Sequence, residues 1–146
     1  TLSSSSAASD VYKRQDGHYA RAIPKFITQA LTNKPITVYG DGSQTRSFCY
    51  VMDTIHGLLL LLLDAKAKGT IVNIGNPAEI TILGLAKKIK RLTRSRSPIT
   101  FHPLPEDDPK RRCPDITKAE ELLQWKPETG LDQGLDRTIL WFQGKT

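Results

Sequence analysis

Pro35-Ile36-Thr37-Val38-Tyr39-Gly40-Asp41-Gly42-Ser43-Gln44-Thr45-Arg46-Ser47-Phe48 is the stretch on which the reading of this chain turns. Ile36 to Tyr39 is rich in β-branched residues and predicts a short strand. Gly40 to Thr45 has the composition of a turn, and Ser47 to Val51 reads as extended again. The pattern sets an aromatic ring, Tyr39, and a guanidinium, Arg46, at the two ends of a tight polar loop. A ring can stack on a base, and a guanidinium donates two parallel hydrogen bonds to phosphate oxygens, which a lysine cannot copy. Taken singly, a half-buried strand tyrosine and a surface arginine also fit these positions.

Working outward toward the N-terminus, Pro24 suits the first turn of a helix running to about Asn33, with Ile23, Phe26, Ile27, Ala30 and Leu31 on one side. Residues 1–15 are serine-rich, then polar and basic, with no hydrophobic period. They cannot bury enough apolar surface to offset chain ordering, so a disordered tail of non-native character is expected there, and one domain over 16–146.

Toward the C-terminus, Asp53 is placed to cap a leucine-rich helix that runs to about Ala67. Its run Leu58 to Leu63 is far shorter than the roughly 20 apolar residues a membrane span needs, so a buried helix is expected. Gly69 stops it, and Thr70 to Ile74 reads as a strand leading into Gly75-Asn76-Pro77. Thr81 caps a helix whose apolar residues Ile82, Leu85, Ala86, Ile89 and Leu92 keep a 3.6-residue period. Its other face and its exit carry Lys87, Lys88, Lys90, Arg91, Arg94 and Arg96, read as a solvated face. Ile99 to His102 predicts a strand. Thr117 with Glu120 forms a capping box for a helix ending near Trp125, and Leu131, Leu135, Ile139 and Phe142 mark a last helix. The order of elements gives an α+β class, not the strand-helix alternation of a complete doubly wound sheet.

The 146 residues carry 21 basic and 15 acidic side chains, a formal charge of +6, with 38% apolar residues, which is ordinary for one globular domain. Surplus positive charge suits an anionic partner and says nothing about fold. Cys49 and Cys113 are too few for a disulfide scaffold and are expected as reduced thiols of a cytoplasmic protein. No apolar N-terminal stretch resembles a signal peptide.

A second informative run is Pro103-Leu104-Pro105-Glu106-Asp107-Asp108-Pro109-Lys110-Arg111-Arg112-Cys113-Pro114-Asp115-Ile116. It supplies another arginine, Arg112, although a basic run is usually a solvated face. Glu106, Asp107 and Asp108 are expected as a solvated loop or a local ion pair with Lys110, not a metal site. His18, His56 and His102 have no zinc-ligand spacing. The chain has no glycine-rich dinucleotide fingerprint, no P-loop and no nucleophile elbow. None of Tyr12, Tyr19, Tyr39 and Tyr50 is followed four residues later by lysine, so a Tyr-x-x-x-Lys acid/base pair is absent. No residue here is placed to run catalysis alone.

Taken together the two long runs resemble the C-terminal part of the UDP-glucuronic acid decarboxylases, in the extended short-chain dehydrogenase/reductase superfamily. Phe26 to Leu31, Asp53, Asn73 to Pro77, Pro103 to Lys118 and Glu121 to Pro127 extend the likeness, which covers about residues 16–146. The resemblance implies the substrate-binding lobe of such an enzyme, without most of the N-terminal Rossmann sheet that holds NAD. It implies that Tyr39 flanks a uracil with the Val38 backbone beside it, that Arg46 and Arg112 take the diphosphate, that Asp115 lies near the ribose, and that Arg21 stands where the family carries an arginine ahead of the first helix. The departures are His18-Tyr19-Ala20 before Arg21, Met52, Cys113, and Val11 to Gln15 in place of the family's usual lead-in. The family's reaction oxidises C4 of the glucuronic acid with NAD, loses CO2 from the β-keto acid and reduces the ketone to UDP-xylose. The implied partner is a UDP-sugar, with no nucleic acid and no membrane, in a homodimeric parent. A fragment without the cofactor lobe is expected to be inactive. Two rivals remain: the lobe of a UDP-glucose 4-epimerase or dTDP-glucose 4,6-dehydratase, and a non-catalytic nucleotide- or nucleic-acid-binding module. Against the module, no aromatics interleave with the basic run, as single-strand stacking requires.

Overall fold

The apolar periods at 22–31 and 82–92 dictate where the interior forms. In the computed structural model, which describes residues 22–104 and 108–144, these runs become helices α1 (Ala22–Leu31) and α3 (Ile82–Leu92). The first bears Phe26, Ile27 and Ala30 inward, the second Ile82, Leu85, Ala86 and Ile89. Each helix is followed in the chain by a strand, β1 (Ile36–Tyr39) after α1 and β4 (Ile99–His102) after α3, and the two pair in parallel with Ile36 opposite Ile99 and Tyr39 opposite His102. Ile36 and Val38 point into the same core, which Leu135 and Ile139 of α5 (Leu131–Gln143) complete. A second sheet has the order β3-β2-β5, built from β2 (Thr45–Ser47), β3 (Glu79–Thr81) and β5 (Arg111–Arg112). Here β2 runs antiparallel to β3 and parallel to β5.

A smaller core gathers Ala67, Ile116, Ala119, Leu123 and Trp125 around α4 (Thr117–Leu123), with Leu60, Leu61, Val72 and Ile74 against it. Leu60 and Leu61 come from α2 (Val51–Leu63), which is followed by a 3-10 turn, Ala65–Ala67. Among the described residues no helix is long and apolar enough to cross a membrane.

Several sequence expectations need correcting. The leucine-rich helix ends at Leu63 and is not buried: Leu62 and Leu63 are each 79% exposed, and only Gly57 of α2 is buried. Asp53 does not cap it. Tyr50 is the N-cap without a side-chain bond, while the Asp53 carboxylate accepts from the backbone N–H and hydroxyl of Thr129. Thr70 to Ile74 forms no strand, because no described strand lies beside it to complete a ladder. The Thr117–Glu120 capping box is replaced by Asp115, whose carboxylate accepts from both the N–H and the hydroxyl of Thr117. After β2 the strand pairing stops at Ser47, Tyr50 keeps an extended backbone, and α2 begins at Val51. The expectations for residues 1–15, Arg21, Glu106 and Asp107 lie outside the described residues.

Candidate functional site

The turn between β1 and β2 is held from several sides. Gly40 and Gly42 have φ of +63° and +74°, conformations that side chains rarely adopt. At Gly42 a Cβ would also fall 2.8 Å from Leu83 Cβ and Val38 Cγ1, so the turn presses directly on the main core. Ser43 donates its N–H and hydroxyl to Asp41 at 2.9 and 2.6 Å, and the hydroxyl foremost holds that carboxyl below its ordinary range. Carbonyls of Gly42 and Gln44 accept from the N–H groups of Leu83 and Ile82, satisfying donors at the start of α3 that would otherwise lack partners. Thr81 caps α3 as the sequence predicts, accepting from Gly84 N–H at 3.0 Å.

Tyr39 and His102 stand side by side where β1 and β4 end, with ring centroids 6.2 Å apart and edge-on. The Tyr39 hydroxyl accepts from Lys25 Nζ at 3.2 Å, and its carbonyl accepts from Gln44 Nε2 at 2.8 Å. The ring is therefore fixed at its hydroxyl and along one edge. Val38 is fully buried, so its side chain belongs to the core. Ile36 and Gly40 donate their N–H groups to Pro98 and His102, and by the period of two the Val38 N–H also faces β4. The main-chain groups of β1 that face away from β4 are those of Thr37 and Tyr39. Gln29 Oε1 accepts from the Thr37 N–H at 3.1 Å.

The second sheet decides where the arginines lie. Arg46 is in register with Arg112 on one side and Ile80 on the other. Residues paired in register share a face of the sheet, and adjacent strands lie about 4.8 Å apart. Two cations far apart in sequence are thereby set next to each other on one face. Arg46 is largely buried: Nη1 donates to the Thr45 carbonyl at 2.7 Å and Nη2 to Asp108 Oδ1 at 2.5 Å. Arg112 is exposed and makes no side-chain bond to another described residue. The sequence expectation that Asp108 lies in a solvated loop or pairs with Lys110 gives way to this ion pair. The parallel pairing of β5 with β2, continued by Thr45 N–H to the Lys110 carbonyl at 2.9 Å, brings the end of the loop onto Arg46.

On the opposite face, Arg111 donates Nε to Glu79 Oε2 at 2.9 Å, and the Thr45 hydroxyl donates to Glu79 Oε1 at 2.6 Å. Arg111, then Thr45, holds the Glu79 carboxyl below its usual range. Arg111, Cys113, Pro114 and Asp115 line an open cleft of about 330 Å3. The Asp115 carboxyl is lowered first by the Thr117 hydroxyl and then by its N–H. Both cysteines are free, and burial pushes the Cys49 thiol up.

The structure brings Arg46 and Arg112 together, places Asp115 beside the neighbouring cleft, and sets Tyr39 in the other sheet, joined to β2 by the Gly40–Gln44 turn. Lys25, Gln44, His102 and Asp108 were missed by sequence reasoning. The 39/102 register reveals His102 and the loop's return to β2 reveals Asp108, while Lys25 and Gln44 emerge only from their bonds to Tyr39. Among the described residues no group of three or more His, Cys, Asp or Glu is arranged to hold a metal. A dinucleotide pyrophosphate asks for an open glycine turn between a strand and a helix N-terminus. The described turns do not fit it: β3 passes straight into the Thr81 cap of α3, and Gly42 faces packed side chains.

The sequence model of the GDP-mannose 4,6 dehydratase family matches residues 9–138. UDP-glucuronic acid decarboxylase 1 of Danio rerio is 50% identical over 122 residues, which are 84% of this chain and 29% of that protein. UDP-glucuronic acid decarboxylase 4 of Arabidopsis thaliana is 49% identical over 84% of this chain and 27% of that protein. The crystal structure of UDP-glucuronic acid 4-epimerase from Bacillus cereus, in complex with UDP-glucuronic acid and NAD, superposes with a TM-score of 0.82 at 31% identity. It is matched over 87% of this chain and 41% of its own. The chain thus spans less than a third of the length of these two decarboxylases, and its α+β fold corresponds to part of an extended short-chain dehydrogenase/reductase.

Proposed function

This chain belongs to the GDP-mannose 4,6 dehydratase family, and on that premise we propose that it is the UDP-gripping C-terminal portion of an NAD-dependent UDP-glucuronate decarboxylase. The parent enzyme converts UDP-glucuronate to UDP-xylose and CO2. One observation carries the reading: the register that pairs Arg46 with Arg112 on one sheet face, in a chain 50% identical to a UDP-glucuronic acid decarboxylase over 122 residues. Two adjacent guanidinium groups match the two phosphates of a UDP-sugar, each offering planar donors to a separate phosphoryl group.

In this reading residues 16–146 form one lobe, to which residues 1–15 do not belong. Tyr39 flanks the uracil, its ring already fixed by Lys25 and His102. The outward main-chain groups of Thr37 and Tyr39, beside Val38, give the base edge its hydrogen bonds in exchange for Gln29 and Gln44. Asp115 approaches the ribose from the adjoining cleft, and Arg21 contributes ahead of α1. The lobe orients the nucleotide handle while redox chemistry belongs to NAD in the rest of the parent. The partner is a UDP-sugar and neither nucleic acid nor a membrane. The parent is a cytoplasmic homodimer, in keeping with two free thiols.

Titration of the chain with UDP, and separately with a single-stranded oligonucleotide at two salt concentrations, tests this. Saturable UDP binding that is lost in the Arg46→Ala/Arg112→Ala double variant is expected, with no CO2 released from UDP-glucuronate even when NAD is supplied. Binding only to the oligonucleotide, with a steep salt slope, overturns it in favour of a nucleic-acid module. A second reading, a 4-epimerase lobe, is favoured by the superposition with the Bacillus cereus enzyme. Product analysis of the full-length parent, xylose against a C4 epimer, separates the two.

A further inference from the structure

The ion pair between Arg46 and Asp108 has no place in the grip just described, and it sits at its centre. Arg46 and Arg112 are register neighbours, and like charges directly opposite each other on a sheet repel. Asp108, four positions before Arg112, answers that repulsion from inside the chain. Its Oδ1 accepts from Arg46 Nη2 at 2.5 Å, with the two side chains only 16% and 30% exposed. Arg46 Nη1 is meanwhile engaged by the Thr45 carbonyl. Each Nη therefore has one N–H committed, and the anionic acceptor among the two is Asp108. Arg112 has no such partner among the described residues.

We propose that Asp108 is a specificity-determining residue that reserves the arginine pair for a diphosphate. The inference rests on the reading of Arg46 and Arg112 as the diphosphate grip. Asp108 is tethered to the same sheet as the cation it neutralises, so its effective concentration at Arg46 is far above that of any free anion. A ligand with a single phosphoryl group gains little by replacing one carboxylate with one phosphate. A diphosphate gains a second guanidinium at the same time, because it spans Arg46 and Arg112 together. Asp108 thereby acts as an internal competitor that nucleoside monophosphates and inorganic anions lose to, and that a nucleoside diphosphate displaces or shares.

The test is calorimetric titration of the wild-type chain and of Asp108→Asn and Asp108→Ala with UDP, UMP and inorganic phosphate. Melting and circular dichroism confirm that each variant is folded. The expected result is a wild type that prefers UDP strongly, and variants in which UMP and phosphate tighten so that the UDP:UMP ratio falls by about tenfold, the scale of one charge-assisted contact. Parallel weakening of UDP and UMP in both variants would show that Asp108 only aims Arg46, and would overturn the proposal. A lowered melting temperature with an unchanged ratio would overturn it too, leaving Asp108 as a staple between β2 and the loop. If wild-type chain binds no UDP, the grip itself is wrong and the proposal falls with it. That failure is distinguishable from a ratio that does not move.

Discussion

Helices α2 and α3 are alike in length and opposite in fate. The 13-residue α2 is the more apolar, with an unbroken run from Leu58 to Leu63, yet it buries only Gly57. The 11-residue α3 carries four basic residues, Lys87, Lys88, Lys90 and Arg91, and still buries Ile82, Leu85, Ala86 and Ile89. Apolar content does not decide burial; a facing surface does. The stripe of α3 meets α1, β1 and α5 inside the chain, whereas Leu58, Leu59, Leu62 and Leu63 meet none of the described residues closely enough to be covered. Ile71, in the neighbouring run that reads as a strand but forms none, is 79% exposed as well.

The largest effect that can break this contrast is a truncation made once in each helix. Leu85→Ala should lower unfolding stability in urea by about 2–5 kcal/mol, because it opens a cavity in a closed core. Leu62→Ala should change it by no more than about 0.5 kcal/mol. Equal losses would mean that α2 is covered in solution. The same contrast predicts that the chain binds a hydrophobic dye, and that replacing Leu58, Leu59, Leu62 and Leu63 by polar residues abolishes the signal while helicity persists.

The contrast also explains what could be read from sequence. Helix α1, β1, α3, β4 and α5 stand close to where their periods place them, because the residues that bury their apolar faces are all among the described residues. Thr70 to Ile74 has strand chemistry but no partner strand among the described residues, and a ladder needs two. Leu58, Leu59, Leu62 and Leu63 have core chemistry but no covering layer among the described residues. At the candidate site, Arg46 and Arg112 were legible as residue types in motifs, while their adjacency lives in the β2–β5 register. The Asp108 contact with Arg46 was not legible: its sequence neighbours Lys110 and Arg111 are nearer along the chain, and only the sheet brings the more distant arginine closer.

The side of α2 that is covered should be as unforgiving as the main core. Gly57 is buried against the second core, and a Cβ there would lie 2.7 Å from Ile74 Cγ2 and 3.0 Å from Trp125 Cε2. Trp125 cannot retreat freely, since its Nε1 donates to the Asp53 carbonyl at 3.1 Å. Overpacking by Gly57→Ala should therefore cost about 1–3 kcal/mol, offset in part by the roughly 1 kcal/mol that Ala gains over Gly in helix propensity. A net gain of about 1 kcal/mol in urea unfolding, the propensity term alone, would show that α2 rides loosely on α4. A smaller effect is expected at the start of α3. Thr81→Ala removes the acceptor for Gly84 N–H and should cost about 1 kcal/mol, and Thr81→Ser should restore most of it.

The smallest effect concerns the sheet that joins the two regions, where Phe48 packs on the main core and Cys49 on the second. Glu79 ties β3 to both β2 and β5 through Thr45 and Arg111, and these donors hold its carboxyl below the usual range. A carboxyl lowered in the folded state contributes stability that is fully present above its unfolded value, about 4.3 for glutamate, and that is lost as pH falls through the folded value. Wild type should thus melt above Glu79→Gln at neutral pH, and the gap should close in acid. Asp41 and Asp115, which are lowered by their own serine and threonine partners, remain in both proteins and cancel from the difference. The gap will be modest, because the Arg111 side chain is 71% exposed and solvent screens such pairs. A gap that persists unchanged below pH 3 would assign the contribution of Glu79 to packing and neutral hydrogen bonding. The junction would then not depend on charge, and the two regions would be joined by β2–β3–β5 main-chain pairing alone.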